Sequence, residues 1–208
     1  MQQFAAIFAP DFAVQAAMRC QSGGPQNRNQ PVAILDGPDS LLRVFACNPA
    51  AQLAGVEIGM TKVQAEQCPG LVLQRRAIAQ ESAGQSALIE CALAFSPLVE
   101  STAPGAVLFE IAGTHRVFGP PQKLARQIVQ SAARLGIEVN VAVAENPDAA
   151  LIVAKGRTGT SIVSSGEERN CLSALTINVL SPTTEQAEIL DAWGIRTCGD
   201  LTAFRSCR

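Results

Sequence analysis

The chain has 208 residues, 48% hydrophobic and 16% charged, which supplies a sizeable core and excludes a disordered tail. Its formal net charge of -2 argues against a free-standing nucleic-acid binder with a basic surface, so any hold on DNA by this chain is expected to be weak. No apolar run reaches the roughly 18 residues of a membrane helix and Met-Gln-Gln-Phe lacks the layout of a signal peptide, so the expectation is a cytoplasmic protein with no membrane contact.

Residues 4–9 form an apolar run closed by Pro10, and a helical pattern follows Asp11 (Val14, Ala17, Met18), which predicts a strand feeding a helix with Asp11 as a candidate cap. Residues 21–31, rich in Gln, Asn, Gly and Pro, predict a loop. Two strands follow at 32–35 and 41–46, joined hairpin-fashion by Asp36-Gly37-Pro38-Asp39-Ser40. Residues 49–54 and 61–67 are helical, with Gly55 and Gly59 as stops, and 71–73 return as a short strand. Residues 78–95 predict a long amphipathic helix bearing Leu88, Ile89, Ala92 and Phe95, able to cover one face of a sheet.

A second hairpin is predicted from 98–102 and 107–111 around Pro104-Gly105. His115, the single histidine, follows Gly113-Thr114 in a predicted loop with no nucleophile at motif spacing and reads as a surface residue. Residues 122–135 predict an amphipathic helix with Leu124, Ile128, Ala132 and Leu135 inward and Lys123, Arg126 and Arg134 off that side. A strand at 139–144, a helix opened by Asn146-Pro147-Asp148 and running to about Lys155, and a last strand at 161–163 complete this part. Ser164-Ser165-Gly166-Glu167-Glu168 is a capping-type signal, after which short helical segments form a separate small region. The fold class is therefore α+β: a ferredoxin-like sheet with helices on one face, a small α/β insertion and a helical end.

Seven cysteines (Cys20, Cys47, Cys68, Cys91, Cys171, Cys198 and Cys207) are scattered with no CxxC pair, so free thiols are expected rather than a zinc site. The sequence also lacks a nucleophile–base pair and a Gly-rich phosphate loop, which ranks a small-molecule enzyme on a ferredoxin-like domain last among the functional readings.

Four separate stretches, in order, carry a likeness to one family. They are Cys47-Asn48 with Gly55-Val56, Gly59-Met60, Ala65 and Cys68-Pro69; Leu108-Phe109-Glu110-Ile111-Ala112-Gly113; Val141-Ala142-Val143-Ala144 through Lys155; and Leu190-Asp191-Ala192-Trp193-Gly194-Ile195-Arg196-Thr197-Cys198-Gly199-Asp200-Leu201. Together they resemble the Y-family (UmuC-like) translesion DNA polymerases over essentially the whole chain. The resemblance implies a palm at 1–21 and 76–165, fingers at 22–75, and a partial thumb at 166–208, with no little-finger domain. It also implies a helix-hairpin-helix in the thumb whose turn, Gly194 to Gly199, would hold DNA phosphates through backbone N–H groups and Arg196, weakly and without reading bases. The DNA-contact candidates are Gly194, Ile195, Arg196, Thr197 and Gly199. The competing reading of that turn is an ordinary helix–turn–helix corner with Trp193 as core filler.

What the resemblance does not bring is the chemistry. Nucleotidyl transfer in that family needs two metal ions held by carboxylates. Its three metal-ligand positions fall here on Ala9, Gly105 and Ala106, so no metal cofactor is expected. The tyrosine and arginine of its triphosphate clamp fall on Pro49 and Gln52, and glutamine lacks arginine's charge. The position that excludes ribonucleotides falls on Val14, and Lys155 or Arg157 aligns with a phosphate-contacting base. This pattern is similar to the ImuB-type subgroup, understood as adaptors in mutagenic lesion bypass. That likeness implies an accessory role in DNA repair and damage-induced mutagenesis, with contacts to a partner polymerase and a sliding clamp lying beyond residue 208. The alternative is an active polymerase using displaced acids such as Asp11 and Glu110.

Overall fold

The computed structural model describes residues 2–19 and 29–205; most of the predicted 21–31 loop, the boundary at 21/22, Cys20 and Cys207 lie outside the described residues. A five-stranded sheet in the order β5-β6-β1-β7-β8 forms the larger layer, built from β1 (Phe4–Phe8), β5 (Val99–Ala103), β6 (Ala106–Glu110), β7 (Asn140–Ala144) and β8 (Thr160–Ile162). The central strand β1 pairs antiparallel with β6 and with β7, so Phe8 stands opposite Ala106 on one side and Asn140 on the other.

Both faces of β1 and β7 are covered, which is why these strands read as unbroken apolar runs rather than alternating ones. On one face Ala5 and Ile7 pack with Leu88 and Cys91 of α4 (Ile78–Leu93) and Leu124 and Ile128 of α6 (Pro121–Arg134). These are the two long helices expected on one side. The other face is also occupied: Ala6, Ala142 and Ala144 meet Ala150, Val153 and Ala154 of α7 (Pro147–Gly156). The small side chains on both surfaces admit that close approach.

A second sheet, ordered β3-β2-β4, comprises β2 (Val32–Asp36), β3 (Arg43–Cys47) and β4 (Val72–Arg75). One face packs Ala33 and Leu35 against Ala51 of α2 (Pro49–Leu53) and Ala65 of α3 (Lys62–Ala65). The opposite face sets Val32 and Ile34 against Val14 and Ala17 of α1 (Phe12–Arg19), which joins this sheet to the larger one. Arg76 fixes the passage from β4 to α4: its guanidinium donates to both carboxylate oxygens of Glu81 at 2.7 and 3.0 Å and to Asp36 at 2.9 Å, and lies 3.9 Å from the centre of the Phe45 ring.

The C-terminal segment contributes α8 (Glu168–Ser173), α9 (Thr184–Ala192) and α10 (Cys198–Arg205) and docks on α7 through Leu175 and Val179. Gly156 makes the docking possible, since a Cβ there would sit 2.9 Å from Leu175 Cδ2. Two local expectations are corrected. The serines at 164–165 do not cap α8, because Ser165 Oγ donates to Glu145 at 2.8 Å. His115 opens the short helix α5 (His115–Phe118) instead of lying in a loop, held there by the Phe118 ring 5.1 Å from Phe95. Among the described residues no helix is long and apolar enough to cross a membrane.

Candidate functional site

The three positions at which the resemblance places metal ligands are neighbours in space. Ala9 N donates to Gly105 O at 2.8 Å, and Ala106 stands opposite Phe8 in the β1–β6 ladder. All three lie where β1 ends and β6 begins, and Ala9 and Ala106 are 1% and 0% exposed. The corner is filled by Phe12. A Cβ on Gly105 would come within 2.7 Å of Phe12 Cβ and 2.8 Å of its Cγ, below any tolerable contact. Farther along the same side chain, a Cβ on Gly84 would sit 3.2 Å from the outer ring atoms Cε2 and Cζ. Gly105 also has φ of +74°, a backbone state that favours glycine. Gln85 braces the turn by accepting from Gly105 N at 2.7 Å and donating to Ser101 Oγ at 2.9 Å.

Two divalent cations of the kind the resemblance implies do not fit this corner, because its side chains are methyl groups, a hydrogen and an aromatic ring. Among the described residues no group of three or more His, Cys, Asp or Glu side chains is arranged to hold a metal ion. Asp11 and Glu110 do not substitute. Glu110 faces Phe4 at the far end of β1, roughly 13 Å along the strand from Ala106 at about 3.3 Å per residue. Two carboxylates so placed cannot share an ion.

Asp11 opens α1 through its carbonyl, which accepts from Val14 N at 2.8 Å and Gln15 N at 3.1 Å, with a left-handed φ of 47°. Burial pushes its carboxyl above the usual carboxylate range. It lines a cleft of about 370 Å³ between the two sheets, with Pro10, Gln15, Arg19, Asn48, Pro49, Arg134 and Glu138 among its other walls. Asn48 is committed to structure: its Oδ1 accepts from Val32 N and Ala51 N, each at 3.0 Å, and its Nδ2 donates to Gln30 O at 2.8 Å. Pro49 and Gln52 are exposed on α2, while Val14 is buried against Val32 and Ile34 and so faces no ligand. Lys155 lines a separate hollow with Phe8, Ala103, Pro104 and Asn178, in which no acid takes part. Burial pushes the Cys91 thiol up to about 11, which disfavours its reactive thiolate.

The turn after α9, where the resemblance places a phosphate grip, has most of its backbone donors engaged within the protein. Its amides already have partners inside the protein: Gly194 N donates to Asp191 O, Ile195 N to Leu190 O, and Cys198 N to Leu175 O, each at 2.9 Å. Arg196 N and Thr197 N donate to Asp200 Oδ2 at 3.1 and 2.9 Å. Asp200 is held below the usual carboxylate range chiefly by the Thr197 hydroxyl and these amides. Ile195 is buried, and Gly199 is explained by packing, since a Cβ there would lie 2.9 Å from Ser173 O. Trp193 is not core filler either; it is 60% exposed and stacks on Phe204 with ring centres 5.3 Å apart. The Arg196 side chain is largely exposed, with Nε 3.9 Å from Asp191 Oδ1.

Phe12 and Gly84 were not among the sequence candidates. A glycine inside a long helix costs about 1 kcal/mol relative to alanine, and that was the available sign that something approaches α4 closely at this point.

Comparison with known proteins places these features in context. The model of the impB/mucB/samB family matches residues 7–155. A protein of Mesorhizobium japonicum named DNA polymerase IV 2 is 28% identical over 215 residues, an alignment covering 99% of this chain and 50% of that protein, so the chain spans about half the length of this curated relative. Among solved structures, DinB from Sulfolobus solfataricus superposes with a TM-score of 0.74 at 22% identity, over 98% of this chain and 60% of that one. An insertion ternary complex of Dbh DNA polymerase superposes with a TM-score of 0.75 at 21% identity, over 97% and 60%. At these identities the structural likeness establishes the fold.

Proposed function

The chain belongs to the impB/mucB/samB family and has the Y-family polymerase fold, and from that premise we propose that it serves DNA damage bypass without catalysing nucleotidyl transfer. In this reading it is an ImuB-type adaptor. The larger sheet with α4, α6 and α7 is a palm, the β3-β2-β4 unit is the fingers, and the helices from 166 onward are part of a thumb. Synthesis falls to a partner polymerase, and the contacts with that polymerase and with a sliding clamp belong to segments outside this chain. Its own hold on DNA is weak.

The observation that carries the proposal is the contact between Phe12 and Gly105. Phosphoryl transfer by two cations needs several carboxylate oxygens converging on one point, whereas these three positions carry two methyl groups and a hydrogen, and even a Cβ at Gly105 would collide with Phe12. The dismantled clamp at Pro49 and Gln52 agrees, because neither side chain carries a positive charge for a triphosphate.

The test is primer extension on a primed DNA template with Mg²⁺ or Mn²⁺ and all four deoxynucleotides. The expected result is no extension above a no-protein control. Incorporation by the chain with Ala9, Gly105 and Ala106 unchanged would overturn the reading in favour of an active polymerase.

A further inference from the structure

The exposed side of α6 bears Lys123, Arg126 and Arg134, and the helix contains no acid. At 3 and then 8 residues apart these three keep to one side of the helix, a row about 16 Å long at 1.5 Å per residue. Exposed Arg116 on α5 extends the row at its start. Arg19 adjoins its far end, beside Gly136, and donates to Ala83 O at 3.3 Å. None of the five is in an ion pair among the described residues, in a chain of net charge -2. Glu138 and Asp11 share the cleft with Arg134 and Arg19, so the row is most strongly cationic towards Arg116, Lys123 and Arg126.

The charge balance of the C-terminal segment is the reverse. Residues 166–205 hold six acids against three basic residues, and five successive amides of its turn, Gly194 to Cys198, have internal acceptors. Of these two regions it is α6, behind the five-stranded sheet, that carries the excess of positive charge.

We propose that the α6 row is a docking surface for the sugar-phosphate backbone of duplex DNA, separate from the corner at Ala9 and Gly105. The row carries no aromatic side chain on which unpaired bases would stack, which favours duplex over single strand. A bilayer is disfavoured because the apolar side of α6, with Leu124 and Ile128, is buried in the core. Recognition is by charge alone and reads no sequence. The choice of DNA among polyanions rests on the function proposed above; the cationic row does not.

The experiment is fluorescence anisotropy of a labelled duplex of about 20 base pairs with the full chain and with its K123A/R126A/R134A variant. All three side chains are exposed, so the variant is expected to fold, which circular dichroism verifies. With about three phosphates engaged, wild-type affinity should fall about 40-fold between roughly 50 mM and roughly 200 mM salt. The variant should bind at least about tenfold more weakly at low salt and lose most of that salt dependence. Equal binding by variant and wild type, or no binding by wild type, overturns the proposal. So does a polyglutamate of matched charge that competes as well as unlabelled duplex, which would assign the row to an acidic protein segment. Primer extension on the same samples keeps the two ideas apart, since incorporation would remove the function proposed above and leave the α6 result standing.

Discussion

At the corner between β1 and β6 space is used up, whereas at the turn between α9 and α10 space is open and five successive backbone donors, Gly194 to Cys198, are engaged. An added Cβ at Gly105 collides with Phe12, while one at Gly194 meets nothing within 4 Å. The Ala9–Gly105 corner offers no charged side chain, whereas the turn offers backbone amides that already have acceptors. A binding site needs both room and unsatisfied groups, and removing either is sufficient.

The sharpest way to break this comparison is to put a carboxylate back at the corner. Gly105→Asp should destabilise the protein by about 1–3 kcal/mol through overpacking against Phe12, with little added from the left-handed backbone, which aspartate tolerates. Urea unfolding measures it, and a loss under about 1 kcal/mol would mean that the corner has room after all. Gly84→Ala probes the other end of the same ring. An unobstructed Gly→Ala change inside a helix gains about 1 kcal/mol, so the gain should be absent beside Phe12 and should emerge in a Phe12→Leu background. Equal effects in both backgrounds would show that the ring does not govern the site.

A smaller effect is expected at Asp11, the acid beside the corner. Burial raises its folded pKa above the unfolded value, so the folded chain retains the proton more readily, and stability falls as pH rises through the folded pKa. Asp11→Asn removes that penalty, and asparagine tolerates the left-handed backbone. Thermal unfolding against pH should show the variant gaining stability at neutral pH and losing the advantage below about pH 4, near the unfolded pKa. A constant offset at all pH values would contradict the burial argument.

The smallest effect belongs to the turn. Asp200→Ala frees the amides of Arg196 and Thr197 and should give a slight, salt-sensitive rise in duplex affinity; a fall would mean that Asp200 orders the turn for DNA instead of occupying its place.

The comparison also explains what could be read from the sequence. The helices around Leu88 and Ile128 were legible because burial imposes a period on the chain, the strand at Phe4 because burial on both faces makes it continuously apolar, and the absence of acids at 9, 105 and 106 was plain in the sequence itself. The role of Asp200 was not, since a carboxylate four residues after Arg196 reads equally well as a surface charge, and only the folded turn shows both amides aimed at it. His115 fell in a helix for a similar reason: the Phe95–Phe118 contact is made in three dimensions and leaves no local pattern. Phe12 gave a partial signal, an apolar residue in a helix, but its target lies 93 residues away at Gly105.

The central claim, that the corner of β1 and β6 is closed to divalent cations, is tested most directly by titrating the ¹⁵N-labelled chain with Mn²⁺ and following the backbone amide signals. The account predicts that Ala9, Gly105 and Ala106 lose no more intensity than the average of the chain. Selective broadening at those three amides would contradict it.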